Sequence, residues 1–388
     1  MMIRLQSEVV GREIEVGRVL GKFEGTSGPT VVITAGVHGN EPLGVYALKN
    51  VVDYIEEHKL ELKGNFYAFT GNLAALKAGR RFIQHDLNRV WKLSLVKKLE
   101  TGTLEGEVSP DMKEMVDLHE HFNTILNSKK GPFHFIDLHT TSSNSKPFIP
   151  VNDTLINRRF TAKFPIPSVL GIEEFLGGAL LSYVNEFKSV GLGFEAGQHE
   201  DPKSVFYHEG MCWLTLVFAG CLTKEQVPNF QEYYDGFAKE SEGVEDFFEV
   251  RRRYLIREDE KFKMHEGFES FQKIEKGQLL AHNDEGEIRA IESGRIFMPL
   301  YQEQGSEGFF IVRKVEPFWL HLSAFLRKIQ LDSVLAILPG VRNHPEFSRT
   351  LIVNTKVASY LATEFFHLLG YRRKRKMGDV IFFTRREL

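Results

Sequence analysis

The strongest constraint on what this chain can fold into is an alternation. Over roughly the first 230 residues, short apolar runs of strand length trade places with segments whose apolar residues recur at helical spacing, the pattern of layered α/β architecture. Thr30–Ala35 reads as a buried strand and Glu41–Glu57 as a helix, with Leu43, Val45, Leu48, Val51, Val52 and Ile55 on one face. Asn65–Thr70 is a second strand, closed by Gly71-Asn72. Ser109-Pro110 opens a helix over Asp111–Leu126, and Phe133–Leu138 is a third strand. A helix over Asp153–Phe164, a strand at Gly191–Ala196 and a strongly apolar helix over Ser204–Leu222 complete this half.

The pattern changes near Phe247. Short strand-like runs follow at Glu249–Arg257, Gly267–Phe271, Gln278–Ala281, Ile288–Ile291, Gly294–Pro299 and Gly308–Val312, the spacing of a small all-β unit. Beyond Pro317 the expectation is a helix over Trp319–Ile329, strands at Val334–Leu338 and Leu351–Val353, a helix over Lys356–Leu369 and a last strand at Val380–Thr384. The division expected is 1–245, 246–317 and 318–388. The basic cluster Arg372–Lys376 precedes Gly378-Asp379 and reads as a solvated hairpin arm, since no aromatic platform for nucleic acid is interleaved with it. A net charge of −3 points the same way. The N-terminus lacks the apolar core of a secretory signal, and the longest apolar stretch, Cys212–Cys221, is too short to span a bilayer. The only two cysteines bound that stretch and read as buried free thiols, so a cytoplasmic protein with no membrane or nucleic-acid partner is expected.

A catalytic zinc site takes about three N, O or S ligands from the protein, two of them often close in sequence. His38 and Glu41 lie three residues apart at a strand-to-helix junction, and Gly36 and Gly39 permit the tight backbone needed there. A helix-capping role for Glu41 is the competing reading. His139 follows the apolar run Phe135–Leu138 and leads into Thr140-Thr141-Ser142-Ser143. Both histidines then sit beyond the carboxyl ends of strands, where α/β sheets bind ligands. His119, His121, His199 and His208 lack a comparably placed partner. Glu195, in Gly193-Phe194-Glu195-Ala196-Gly197, is a carboxylate in an apolar strand and suits a general base acting on an activated water. The loop from Gly79 to Arg89 offers arginines and Asn88 as planar donors for carboxylates, with Asp86 as an arginine partner.

In order and spacing, Gly36–Glu41, Asn72 with Arg81 and Asp86–Arg89, Asp137–Ser142 and Phe194–Gln198 resemble the succinylglutamate desuccinylase/aspartoacylase family, a branch of the zinc carboxypeptidase-like fold. The resemblance covers about residues 1–230 through these motifs, extends to about 315 through the family's β-barrel-like domain, and does not reach the last seventy or so. It implies a three-layer α/β/α domain with a mixed sheet, a small β-barrel-like domain and, here, a C-terminal α/β extension. It also implies one zinc ion per chain held by His38, Glu41 and His139. Glu195 is then the acid/base, Arg81 polarises the scissile carbonyl, and Asn88 and Arg89 hold a substrate carboxylate. Relatives grip the amino-acid part with a tyrosine and an arginine upstream of the glutamate. This chain has Tyr183 and no arginine, with Lys188 as the nearest cation, and Gly308-Phe309-Phe310 stands where a further tyrosine is expected.

The expected function is zinc-dependent hydrolysis of the amide bond of a small-molecule N-acyl amino acid. A metallocarboxypeptidase acting on peptides, an esterase and a catalytically silent binding protein are the alternatives, and assembly as a homo-oligomer stays open.

Overall fold

The computed structural model describes residues 1–104, 107–244, 246–347, 349–358 and 363–385, with backbone alone for 332–334 and 373–376. Strands β1 (Ile3–Ser7) and β2 (Arg12–Val16) pair as a hairpin ahead of β3 (Val19–Glu24) and β4 (Thr26–Ala35). Next come α1 (Leu43–Glu57), β5 (Lys63–Thr70), α2 (Leu73–Ala78), α3 (Leu93–Glu100), α4 (Pro110–Ser128) and β6 (Phe133–Thr141). These lead to β7 (Ile149–Val151), α5 (Leu155–Thr161), β8 (Ser168–Leu170), α6 (Leu180–Val184), β9 (Val190–Gln198), α7 (Lys203–Ala219) and α8 (Phe230–Glu240).

The result is mixed α/β with one large mixed sheet. Its centre is parallel: β4 pairs with β5 and with β6, and β6 with β9. Residues 30–35 of β4 are all buried, the near-continuous apolar run of a strand covered on both faces. Val31, Ile33 and Ala35 enter a cluster with Val45, Leu48 and Val52 of α1 and Met211 and Leu214 of α7. Val32 joins Met115, Leu118 and Phe122 of α4 in a second cluster. Alternation along one strand thus sends helices to both faces. Each fully buried aliphatic or aromatic side chain contributes about 1.5–3 kcal/mol relative to exposure.

The second half begins with β10 (Phe247–Leu255), followed by β11 (Lys263–Met264), β12 (Lys273–Ile274), β13 (Leu279–Asn283), β14 (Gly286–Arg289), β15 (Gly294–Phe297) and β16 (Glu307–Lys314). Strand β10 pairs parallel to β8 on one edge and antiparallel to β16 on the other, so the large sheet runs β12-β15-β16-β10-β8-β7-β9-β6-β4-β5-β3 across position 246. Phe148, Val169 and Ile172 share a hydrophobic cluster with Phe248, Phe297 and Phe310 on the far side of that position. Strands β11, β13 and β14 form a small separate sheet. The last part holds α9 (Pro317–Lys328), β17 (Val341–Asn343), β18 (Thr350–Asn354), α10 (Thr363–Leu368), β19 (Tyr371–Met377) and β20 (Val380–Arg385), the strands ordered β17-β18-β20-β19.

Several sequence expectations change. Gly267–Phe271 is a turn, with positive φ at Gly267 (+86°) and Phe271 (+70°), rather than a strand. The strand expected at Val334–Leu338 is instead the end of a 3-10 helix (Leu331–Ile337) with Leu338 just beyond it, since a short apolar run carries no period that separates strand from helix. The helix expected over Asp153–Phe164 contracts to α5, capped by Thr154, whose hydroxyl accepts the Asn157 N–H. Of the helix expected over Lys356–Leu369, α10 is present, 355–358 form turn and bend, and 359–362 lie outside the described residues. The basic cluster falls on β19, and the side chains of 373–376 lie outside the described residues; Arg372 is buried, not solvated. Both cysteines are buried and unpaired. Among the described residues no helix is long and apolar enough to cross a membrane.

Candidate metal centre and active site

At the carboxyl end of β4 the backbone turns sharply through Gly36, whose φ is +73°. It then runs against the start of the arginine loop, where the Gly39 N–H donates to the Arg81 carbonyl at 3.2 Å. A Cβ on Gly39 would lie 2.1 Å from the Ala75 carbonyl carbon, so glycine is required for this approach. The turn aims His38 and Glu41 inward, and both are buried. Helix α1 starts only at Leu43 with no side-chain cap. The capping role for Glu41 is therefore absent, and its oxygens face the histidines instead.

His38 Nδ1 lies 2.9 Å from Glu41 Oε1 and His139 Nδ1 lies 3.0 Å from Glu41 Oε2, while the Thr140 N–H donates to Oε2 at 3.0 Å. One ligand atom from each of His38, Glu41 and His139 falls within 4.8 Å of the others. His139 is the partial surprise: it sits inside β6 rather than past its end, in register with Glu195 of β9. The outer ring nitrogens are also engaged. His38 Nε2 is 3.0 Å from Asp86 Oδ1, and His139 Nε2 is 2.7 Å from Asp137 Oδ2. Thr34 in turn donates to Asp137 Oδ1 at 2.8 Å. Imidazoles backed by carboxylates, with both Nδ1 atoms turned towards one glutamate, are the donor set and support that a divalent metal requires. The three residues fit a metal ion.

The electrostatics agree. Burial alone would raise the Glu41 carboxyl, but His38 and His139 hold it well below the usual carboxylate range. Burial would lower His139, yet Asp137 and Glu41 hold it well above an ordinary imidazole. Metal binding at ligands of this kind is coupled to proton release. Glu195 differs: burial pushes it up to about 8, and its Oε2 has no hydrogen-bond partner among the described residues.

The arginine loop is held from below by Asp111 in the first turn of α4, which accepts N–H groups from Ile83 (3.0 Å), Gln84 (2.7 Å) and His85 (2.9 Å) and the Asn72 amide (2.7 Å). Arg81 then reaches Asp86 Oδ2 at 3.3 Å and Glu41 Oε1 at 3.5 Å, while its Nε has no hydrogen-bond partner among the described residues. Asn88 Oδ1 accepts the Leu180 N–H at 2.9 Å. Arg89 Nη2 donates to Glu307 Oε2 at 3.0 Å, a contact reaching over from β16.

A narrow cleft of about 70 Å³ touches His38, Glu41, Arg81, Asn88, Arg89, His139 and Glu195 together, so the seven residues expected as metal ligands, acid/base and substrate contacts line one space. Tyr183 and Lys188 do not line it. The Tyr183 hydroxyl lies 2.7 Å from His119 Nδ1, and its ring packs against Trp91. The groups that sequence reasoning passed over are Asp137, Asp111, Glu173 and Glu307. Asp137 had a signal, since it stands two residues before His139 on the same face of a strand. Glu173, a buried residue of the 3-10 turn Ile172–Glu174, lines the cleft opposite no sequence motif.

Residues 27–202 match the family described as succinylglutamate desuccinylase/aspartoacylase catalytic domain. A succinylglutamate desuccinylase of Photorhabdus laumondii is 39% identical over 62 residues, 16% of this chain and 19% of that protein. A human N-acyl-aromatic-L-amino acid amidohydrolase (carboxylate-forming) is 32% identical over 119 residues, 29% of this chain and 34% of that protein. These matches thus span no more than about a third of either relative's length. The crystal structure of a succinylglutamate desuccinylase/aspartoacylase from Rhodobacter sphaeroides superposes with a TM-score of 0.54 at 18% identity, covering 79% of this chain and 91% of that one, a likeness of fold.

Proposed function

Residues 27–202 belong to the succinylglutamate desuccinylase/aspartoacylase family, and from that premise we propose that the chain is a zinc-dependent hydrolase of the amide bond in a small-molecule N-acyl amino acid. The observation that carries the reading is the convergence of the His38, Glu41 and His139 donor atoms with the unpaired Glu195 carboxyl and Arg81 on one cleft. Borderline N and O donors of this kind suit zinc, one ion per chain. When bound, zinc supplies Lewis-acid chemistry: a lower pKa for water and a polarised acyl carbonyl.

The protein's own groups do the rest. Glu195 Oε2 takes the proton of the attacking water and returns it to the departing amine nitrogen. Its raised pKa suits a group that must hold that proton between the two steps. Arg81, kept in place by Asp86, meets the negative charge that builds on the carbonyl oxygen. Asn88 and Arg89 orient a substrate carboxylate, and the 3-10 turn that carries them is fixed by Asp86, which accepts the Asn88 N–H at 2.8 Å.

The same reading extends to organisation. Residues 1–245 form the zinc carboxypeptidase-like α/β/α catalytic domain, 246–317 a small barrel-like β domain whose β10, β12, β15 and β16 continue the large sheet, and 318–388 an α/β extension. Distinct hydrophobic clusters around Leu280 and Ile296 and around Phe366 and Phe383 support the latter two. The free buried thiols support a cytoplasmic setting.

The test is zinc-loaded protein offered a panel of N-acyl amino acids, short peptides and esters, read by release of free amine or acid. Glu195→Gln should keep zinc and lose about 10²–10⁴-fold in turnover, whereas His139→Ala should lose bound zinc by elemental analysis. Near-wild-type turnover in Glu195→Gln, or preferred cleavage of peptides, would remove the reading.

A further inference from the structure

The cleft carries one ionisable group that the reaction does not use. Glu173 is 4% exposed, and its Oε1 accepts the Asp153 N–H at 3.0 Å. Its Oε2 has no hydrogen-bond partner among the described residues. Leaving a buried carboxyl oxygen unpaired is costly, so a position that lines a ligand cleft and bears that cost has a use for the free oxygen.

The remaining charges in the cleft sharpen the question. Arg81 faces Asp86 and Glu41, and Arg89 faces Glu307. Asp153, whose N–H Glu173 accepts, is engaged by Arg158, Arg327 and Arg372, and the adjacent Glu174 lies 3.1 Å from His367 Nε2 and 3.7 Å from Arg372 Nη1. Glu173 accepts peptide N–H groups but makes no ion pair among the described residues, and Arg372, which acts on it through space, is paired to Asp153 and Glu249. Burial pushes its carboxyl up to about 7, so it stands neutral or half-ionised until a cation arrives.

Its position also faces two spaces. Glu173, Leu176 and Ser182 line the catalytic cleft and equally an adjoining cavity of about 260 Å³ that is walled by Trp91, Lys92 and Tyr183. A substrate whose reacting amide lies at His38, His139 and Glu195 and whose carboxylate lies at Asn88 and Arg89 has one remaining branch, the amino-acid side chain. The cleft itself is too small to take a long one. Glu173, Leu176 and Ser182 stand between the cleft and the larger cavity, so a side chain too long for the cleft would be placed beside Glu173.

We propose that Glu173 sets the specificity for that branch, pairing with a protonated amine so that the preferred substrates are N-acyl amino acids with a basic side chain. The inference rests on the amide-hydrolase reading for the placement of the substrate. An ammonium at Oε2 satisfies the unpaired oxygen and converts the carboxyl to its ionised form, a gain that a neutral or acidic side chain does not supply.

The experiment uses the zinc-loaded full chain and five probes: Nα-acetyl-L-ornithine, Nα-acetyl-L-lysine, their uncharged counterparts Nα-acetyl-L-norvaline and Nα-acetyl-L-norleucine, and Nα-acetyl-L-glutamate. Wild type should favour the better basic compound over its counterpart by about tenfold or more in kcat/KM, and Glu173→Gln should cut that ratio to below about threefold. Gln keeps an acceptor for the Asp153 N–H. Glu173→Asp, a shorter acid, should retain a basic preference and move it from ornithine towards lysine. Calorimetry of the free products, L-ornithine against L-norvaline, provides a readout that needs no turnover, and the difference in affinity should vanish in Glu173→Gln. An unchanged ratio in Glu173→Gln, or a wild-type preference for the norvaline, norleucine or glutamate derivative, overturns the proposal and leaves the hydrolase reading standing. If no probe is cleaved, Glu173-dependent binding of ornithine still upholds the role of Glu173, and its absence overturns it, while the hydrolase reading falls separately.

Discussion

Replacing Asp153 by Asn tests the most heavily charged point of the interior. The Asp153 side chain is fully buried. Its Oδ1 accepts from Arg158 Nε at 2.6 Å, and its Oδ2 accepts from Arg327 Nη2 at 3.0 Å and Arg372 Nε at 2.5 Å. Two of these three arginines come from the last seventy or so residues, so one carboxylate ties that stretch to the loop after β7. Asn preserves the volume and removes the charge, leaving three guanidinium groups with Glu249, 3.1 Å from Arg372 Nη1, as the closest remaining answer. Removing one partner of a buried, hydrogen-bonded ion pair costs about 3–5 kcal/mol. With a urea dependence of about 3 kcal/mol/M, the unfolding midpoint should fall by roughly 1–1.7 M.

The pH dependence carries the sign. Burial alone would raise the Asp153 carboxyl, but the three arginines hold it well below its usual range. Its contribution is therefore complete above the unfolded-chain value of about 3.9 and fades as pH falls towards the depressed folded value. Wild type and variant should differ fully at pH 7 and at pH 5, and converge in stronger acid. Urea melts followed by circular dichroism and tryptophan emission suit the measurement, because Trp319 on α9 is half-exposed whereas Trp91 and Trp213 are buried. Equal midpoints at pH 7, or a gap that stays constant down to pH 3, would refute the reasoning.

Two further outcomes follow from the metal centre. Asp137→Asn removes the charge behind His139 while keeping a hydrogen-bonding group at Nε2, so metal affinity should fall about 10–100-fold in chelator competition. Unchanged affinity would remove the supporting role. Gly39→Ala drives a Cβ to within 2.1 Å of the Ala75 carbonyl carbon and 2.4 Å of the Arg80 oxygen. It should displace the His38 turn from the arginine loop and lower both metal content and thermal stability, the latter by about 1–3 kcal/mol.

The parts of the site legible in the sequence are those that local chemistry marks. His38 and Glu41 share one turn, His139 and Glu195 interrupt apolar runs, and the Arg81–Arg89 loop is dense in planar donors. Each is conspicuous because a polar group in an apolar or glycine-rich setting needs a reason. What escaped notice depends on packing between distant segments. Glu307 meets Arg89 across 218 positions, and Asp111 gathers a loop some 26–28 positions away. Arg372 looked like one of five surface cations because sequence records its neighbours on the strand, whereas its burial follows from Asp153, 219 positions earlier. The fold shows the same division. The central parallel strands are evident from continuous apolar runs, while the short strands β7 and β8 carry three residues each and no period to read.

The pairing of Arg89 with Glu307 gives the cleft an internal competitor. Under the proposed function, a substrate carboxylate arriving at Arg89 would meet a guanidinium whose charge is already matched, so binding there would be an exchange of one anion for another. The electrostatic gain is the small difference between two similar pairs, and discrimination shifts to the shape and hydrogen bonding of the rest of the molecule. Glu307 belongs to β16, on the other side of the sheet junction at β10. Exchange at Arg89 would therefore free the Glu307 side chain while β16 stays paired to β10 and β15, so the competing anion remains tethered beside the cleft at a fixed distance.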